Sequence, residues 1–174
     1  MITVTKEQRL ENYPIKIVCS SVTLTVISYL LGTLVLYVLH PFLGILYLLL
    51  AVSTIIVSMK LRCSYCYYLG KYCNFGLGKL AALFFKKGIS REFQNPKKVI
   101  STAILSFGTM LLPVITGFGL ILFSFSLINF SLLLVYILFG ILPGFLVRGN
   151  FCDKCIQGQL GCPAYQQMIK GREK

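Results

Sequence analysis

Histidine occurs once and acidic residues five times in these 174 positions. The single histidine, His40, leaves a b-type haem without its usual ligands. There is no H-E-x-x-H helix, no Ser-His-Asp set and no phosphate-binding P-loop. Hydrolase chemistry is therefore not indicated, and no catalytic residue can be assigned. Charge is also missing from four long apolar stretches: 17–40, 41–59, 99–128 and 130–147 contain no Asp, Glu, Lys or Arg. Proton relays and ion pathways depend on such groups inside a membrane, which argues against a proton-coupled pump or a channel for charged substrates. The first stretch lacks a small-residue cleavage site, so it reads as a membrane helix and not as a removable signal.

What is present is apolar. Hydrophobic residues make up 56% of the chain and charged residues 13%, against about 45–50% and about 25% in a typical soluble domain. Each charge-free stretch is long enough to cross a hydrocarbon core of about 30 Å as a helix. The expectation is an all-α integral membrane protein with four transmembrane helices.

The basic residues give its orientation. There are 17 Lys and Arg, for a net charge of +12. They lie before the first stretch, between Lys60 and Lys98, and from Arg148 onward. The connections "LHPFLG" and "LINFS" carry none. With four crossings the three basic segments share one side, which the positive-inside rule makes the cytoplasm. Both termini are then cytoplasmic. Basic residues at membrane ends serve orientation and anionic headgroups, so a nucleic-acid partner is not expected.

"CSYCYYLGKYC" follows the second stretch and "CDKCIQGQLGC" the fourth. Both read C-x2-C-x6-C, offset by 89 residues: Cys63 and Cys152, Cys66 and Cys155, Cys73 and Cys162. The same offset lays His40-Pro41 on Asn129-Phe130 and the first apolar stretch on the third. The chain thus reads as a parallel internal duplication of two tandem helical hairpins, each followed by a cytoplasmic Cys loop. Its segments are 1–16, a cytoplasmic N-terminal segment; 17–73, hairpin and first loop; 74–98, a basic interfacial segment; 99–162, hairpin and second loop; and 163–174, a polar tail. Cys19 matches Gly108 and stands outside the repeat; core packing is its expected role.

Metal binding fits the six cysteines best. C-x2-C presents two thiolates from one turn and a third closes from the loop. Disulfides suit the reducing cytosol poorly. A thiol–disulfide relay remains open, as do simple free thiols. Three thiolates fall one short of a closed zinc site or a cubane cluster, so a triad must borrow a ligand or cooperate with the other. Asp153 offers an oxygen, and Lys60, Arg62, Lys71, Arg148 and Lys154 offer counter-charge. Zinc and an iron–sulfur cluster are equally compatible; haem is not expected. Tyr65, Tyr67, Tyr68, Tyr72 and Phe75 read as an interfacial aromatic belt sooner than as a cover over a cluster.

Between the halves, Leu77, Leu80, Ala81, Phe84 and Phe85 recur near helical spacing beside Lys79, Lys86 and Lys87. A short helix in the headgroup plane is expected, ended by Gly88, with Gly76–Gly78 as a flexible joint. The expected functions are an electron-transfer or redox-sensing membrane component with a soluble partner at the basic surface, or a zinc-stabilised scaffold or small-molecule transport module. The lipid bilayer is the main partner, and a homo-oligomer is compatible with the sequence.

Overall fold

The computed structural model describes residues 10–123, 125–141, 154–163 and 165–166. They are helical, and the only bridge among the described residues is an isolated parallel pairing of Leu10 with Cys155. Helix α1 is Ile15–Leu39, α2 Pro41–Leu61, α3 Leu77–Phe84, α4 Pro96–Phe123, α5 Leu127–Val135 and α6 the single turn Ile156–Gln159. Short 3-10 turns occupy Cys63–Tyr65 and Ser90–Gln94. From Tyr136 to Ile141 the α5 helix continues as a π-helix.

Three segments are long and apolar enough to cross a membrane: Ile15–Leu39, Pro41–Tyr65 and Pro96–Phe123. Their best windows have mean hydropathies of 2.1, 2.4 and 2.0, yet only 17%, 28% and 17% of each is buried. Leu30, Leu49, Ile104 and Ile115 are among the many large apolar side chains that point outward. A surface of this kind is stable in lipid and not in water. A shorter apolar helix runs from Leu127 to Ile141.

The hairpin turn at His40 lies where the sequence puts it. His40 is extended, its Nδ1 accepts from the N–H of Phe42 at 3.2 Å, and Pro41 takes the first helical position. The second turn does not follow the 89-residue offset. The expected connection, Leu127 to Ser131, is already helix, and the described non-helical residues before it are Phe125 and Ser126. Ser126 decides it: its Oγ accepts from the N–H of Ile128 at 3.3 Å, capping α5 much as His40 caps α2.

The bundle packs through small and hydroxylated residues, as expected where lipid removes the hydrophobic drive between helices. α1 packs along α2 and also meets α4 and α5. Gly32 lies against the Tyr47 ring, Gly44 against Tyr37 and Gly117 against Leu133. Thr54 and Thr109 bond each other at 3.0 Å between α2 and α4. The hydroxyls of Thr25, Thr102 and Thr109 bond carbonyls of their own helices. Pro113 is buried inside α4. Tyr136 is fully buried and donates to the Met110 carbonyl at 2.9 Å, three residues before that proline. Cys19, expected in the core, is exposed on the outer face of α1.

Candidate metal centre

α2 ends at Leu61, and the chain turns at once. Cys63 opens the 3-10 turn, and the Cys66 N–H returns to the Cys63 carbonyl at 3.1 Å. Gly70 then takes a left-handed φ of 81°, and the loop folds back so that Cys73 reaches the start of α3. The Cys73 Sγ accepts the N–H of Gly78 at 3.3 Å. Gly76–Gly78 is therefore not a flexible joint. Gly76 sits at φ 73°, and a side chain at Gly78 would strike the carbonyls of Tyr68 and Lys71. α3 stops at Phe85, which turns to extended backbone before Gly88 is reached; Gly88 lies instead against the Tyr65 ring.

In the second loop Cys155 stands at the entry of α6, and the Cys162 N–H returns to the Gly158 carbonyl at 3.2 Å. Cys152 and Asp153 lie outside the described residues. The Cys155 thiol is approached by the N–H groups of Gly158 and Gln157 and by the Tyr13 hydroxyl.

The two loops meet. The N–H of Tyr67 donates to Gln157 Oε1 at 2.7 Å, and the N–H of Ile156 donates to the Tyr68 hydroxyl at 3.2 Å. Tyr68 in turn donates to the Leu10 carbonyl at 2.7 Å, while the Leu10 N–H reaches the Lys154 carbonyl at 3.3 Å. Residues 10–13, which the sequence suggests only as a cytoplasmic lead-in, thus form a strap tied to both loops. Its signal is Leu10 and Tyr13, two apolar side chains three apart in an otherwise polar stretch. Tyr13, Val18 and Tyr68 form a small core against which Cys66, Cys73 and Cys155 pack.

Tyr67 and Tyr72 pack against this core beside Tyr68. Tyr68 is 2% exposed. Lys98, Lys71 and Lys79 stand over the rings of Tyr65, Tyr67 and Tyr72 at 3.8, 4.3 and 3.9 Å, and Arg62 over Phe93 at 4.2 Å. One nitrogen of Arg62, Nη1, is buried with no hydrogen-bond acceptor among the described residues.

Burial pushes the Cys66 thiol up to about 12, with a smaller upward push from the nearby Cys155, Cys73 and Cys162; the Tyr68 N–H acts the other way. Burial likewise raises Cys155, against the opposing N–H groups of Gly158 and Gln157. Free thiols so placed are poor nucleophiles, since the thiolate is the reactive form. Among the described residues no three Cys, His, Asp or Glu side chains are drawn together closely enough to hold one ion. His40 caps the far end of α2, about 32 Å away along a 21-residue helix, and takes no part. Comparison with known families, curated proteins and solved structures gives no match.

Proposed function

We propose that the chain is a four-span membrane protein whose cysteine loops form a metal-binding cap on the cytoplasmic face, serving electron transfer or redox sensing. The observation that carries this reading is the packing of thiols from both loops around one tyrosine core, with backbone N–H groups directed at their sulfurs. Hydrogen bonds to sulfur are a principal means of tuning metal–thiolate centres. The ligands are Cys63, Cys66 and Cys73 with Cys152, Cys155 and Cys162.

The path of the chain supports four crossings. α4 starts at the cap, where Lys98 lies over Tyr65, and its 28 residues carry the chain away, by about 42 Å at 1.5 Å per residue. Residues 154–162 are back at the cap, against Tyr67 and Tyr68. A return crossing between them satisfies both facts. Each hairpin's second helix opens on a side-chain cap, at His40 and at Ser126, three residues out of the 89-residue register.

Between the halves, Leu83, Phe84 and Ile89 are 79%, 70% and 75% exposed. They share a short segment with exposed Lys86, Lys87, Arg91 and Lys97. This composition suits an anionic leaflet, and the same basic surface would receive a soluble redox partner.

A zinc-clamped scaffold is the second reading. It is favoured by the strap at residues 10–13, which gives the cap a fastening role. Anaerobic purification separates the two. Brown protein with iron and acid-labile sulfide is expected of the redox component. Colourless protein with stoichiometric zinc would replace it with the clamp, and metal-free protein with readily oxidised thiol pairs would return the relay.

A further inference from the structure

We infer that α3 and the turn after it form a binding site for anionic lipid. Leu80, Leu83, Phe84 and Ile89 enter the cytoplasmic leaflet, and Lys86, Lys87, Arg91 and Lys97 meet its headgroup phosphates. This deepens the leaflet contact proposed above and rests on the membrane-spanning, cytoplasm-facing reading, not on any metal.

The apolar half of the site is set by α3. The helix turns Gly78 and Ala81 inward, packing against α2 and the Cys63–Tyr65 turn. On a helix at a water-facing surface the opposite side is polar. Here Leu80, Leu83 and Phe84 fall at i, i+3 and i+4, share one face and are all exposed. Ile89 follows and is exposed as well. A helix apolar on both faces needs an apolar medium on its outer one. The depth of the segment supplies it. The Gly88 N–H donates to the Ser64 carbonyl at 2.9 Å, and Ser64 lies at the end of the apolar span Pro41–Tyr65. Pro96, a little further on, opens the span Pro96–Phe123. The exposed face therefore hangs between two membrane entries, at the level where the helices leave the lipid.

The charges supply the preference for an anion. Between Lys60 and Lys98, Arg62, Lys71, Lys79 and Lys98 are already engaged, over the rings of Phe93, Tyr67, Tyr72 and Tyr65. The one acid of that stretch, Glu92, is paired with Lys98 at 2.9 Å. Lys86, Lys87, Arg91 and Lys97 are exposed and make no ion pair or ring contact among the described residues. The cations without a partner are thus the ones beside Leu83, Phe84 and Ile89. An apolar face rimmed by unneutralised cations matches the order of acyl chain and phosphate in an anionic lipid.

The chain has no Trp, so one introduced Trp is a unique reporter. L83W places it on this face, and L49W places it on the exposed side of α2 as a reference. Each full-length chain is reconstituted in phosphatidylcholine vesicles. A fixed fraction of the lipid is then replaced by brominated phosphatidylcholine or brominated phosphatidylglycerol, whose bromines quench a Trp they touch. The site requires both reporters to be quenched. L83W should favour phosphatidylglycerol by at least about 5-fold, the worth of one basic residue at an anionic surface. K86Q/K87Q/R91Q in the L83W chain should lose that preference and keep the quenching; a retained preference overturns the assignment of these cations. Equal quenching of L83W by the two lipids overturns the anionic site. L83W unquenched beside a quenched L49W overturns the leaflet contact, leaves the membrane protein standing and gives the face to a second copy or a soluble partner. L49W unquenched removes the membrane reading itself.

Discussion

Two buried tyrosines face each other in the middle of the bundle with opposite expected behaviour on losing a hydroxyl. Tyr136 donates to the Met110 carbonyl, so Tyr136→Phe removes a buried hydrogen bond and should cost about 0.5–1.5 kcal/mol. Tyr47 is 2% exposed, and its hydroxyl comes near Tyr136 without closing a well-aligned bond. Tyr47→Phe removes an unpaid desolvation and should be neutral or stabilising. Denaturant unfolding in bicelles compares them; equal losses would mean that Tyr47 is paired after all. The Thr54–Thr109 bond should be modest for the same reason that all such bonds are. Thr109→Val is expected to cost roughly 0.6 kcal/mol, and no more than ~1.7, because each hydroxyl also bonds its own helix. These contacts were not legible beforehand. Tyrosine and threonine are common in membrane helices, and nothing in a linear sequence says which face of one helix meets which face of another.

At the scale of the element, the helices themselves were plain in the sequence because charge stops where lipid begins. The second turn was not. Residues 119–128 are apolar apart from two serines, and the 89-residue offset, taken from the cysteines, places the turn too late. Three more residues separate Ser126 from Cys152 than separate His40 from Cys63. The π-helix at Tyr136–Ile141 lies within that longer span, and a π-turn is how a helix absorbs an inserted residue. Deleting Leu138, exposed within the π segment, should therefore convert it to regular helix and leave a monodisperse protein. Deleting Leu49, equally outward on α2, should not be tolerated, because it rotates buried Thr54 and Met59 out of the bundle. Size-exclusion profiles in detergent distinguish the two. In the cap, Gly78→Ala should detach the first loop, since the added carbon meets two carbonyls and not a yielding side chain. A loss of about 1–3 kcal/mol is expected, read as a lower thermal midpoint of tyrosine fluorescence.

For the whole molecule, the sidedness of the charge and the geometry of the cap make one joint statement. The basic segments contain both cysteine loops, and the bonds from Tyr67 to Gln157 and from Ile156 to Tyr68 require the two loops to share a side. Charge counting reaches the same result without any contact. Charge counting therefore anticipates that the two loops lie together, but not that residues 10–13 tie them, because two apolar residues, Leu10 and Tyr13, are all the mark the strap leaves in the sequence. The orientation has a direct check. His40 and Phe125 mark the two turns and are exposed, while Lys86 is exposed between the halves. In intact cells an impermeant maleimide should label H40C and F125C, and should reach K86C only after the membrane is opened. Labelling of K86C alone would invert the protein and place the cap in an oxidising compartment, where thiol–disulfide exchange regains its footing. Labelling of H40C without F125C would break the equivalence of the two hairpins. The cap would then have to be assembled by a chain that returns without crossing, which the described end of α5, still apolar at Ile141, makes costly in lipid.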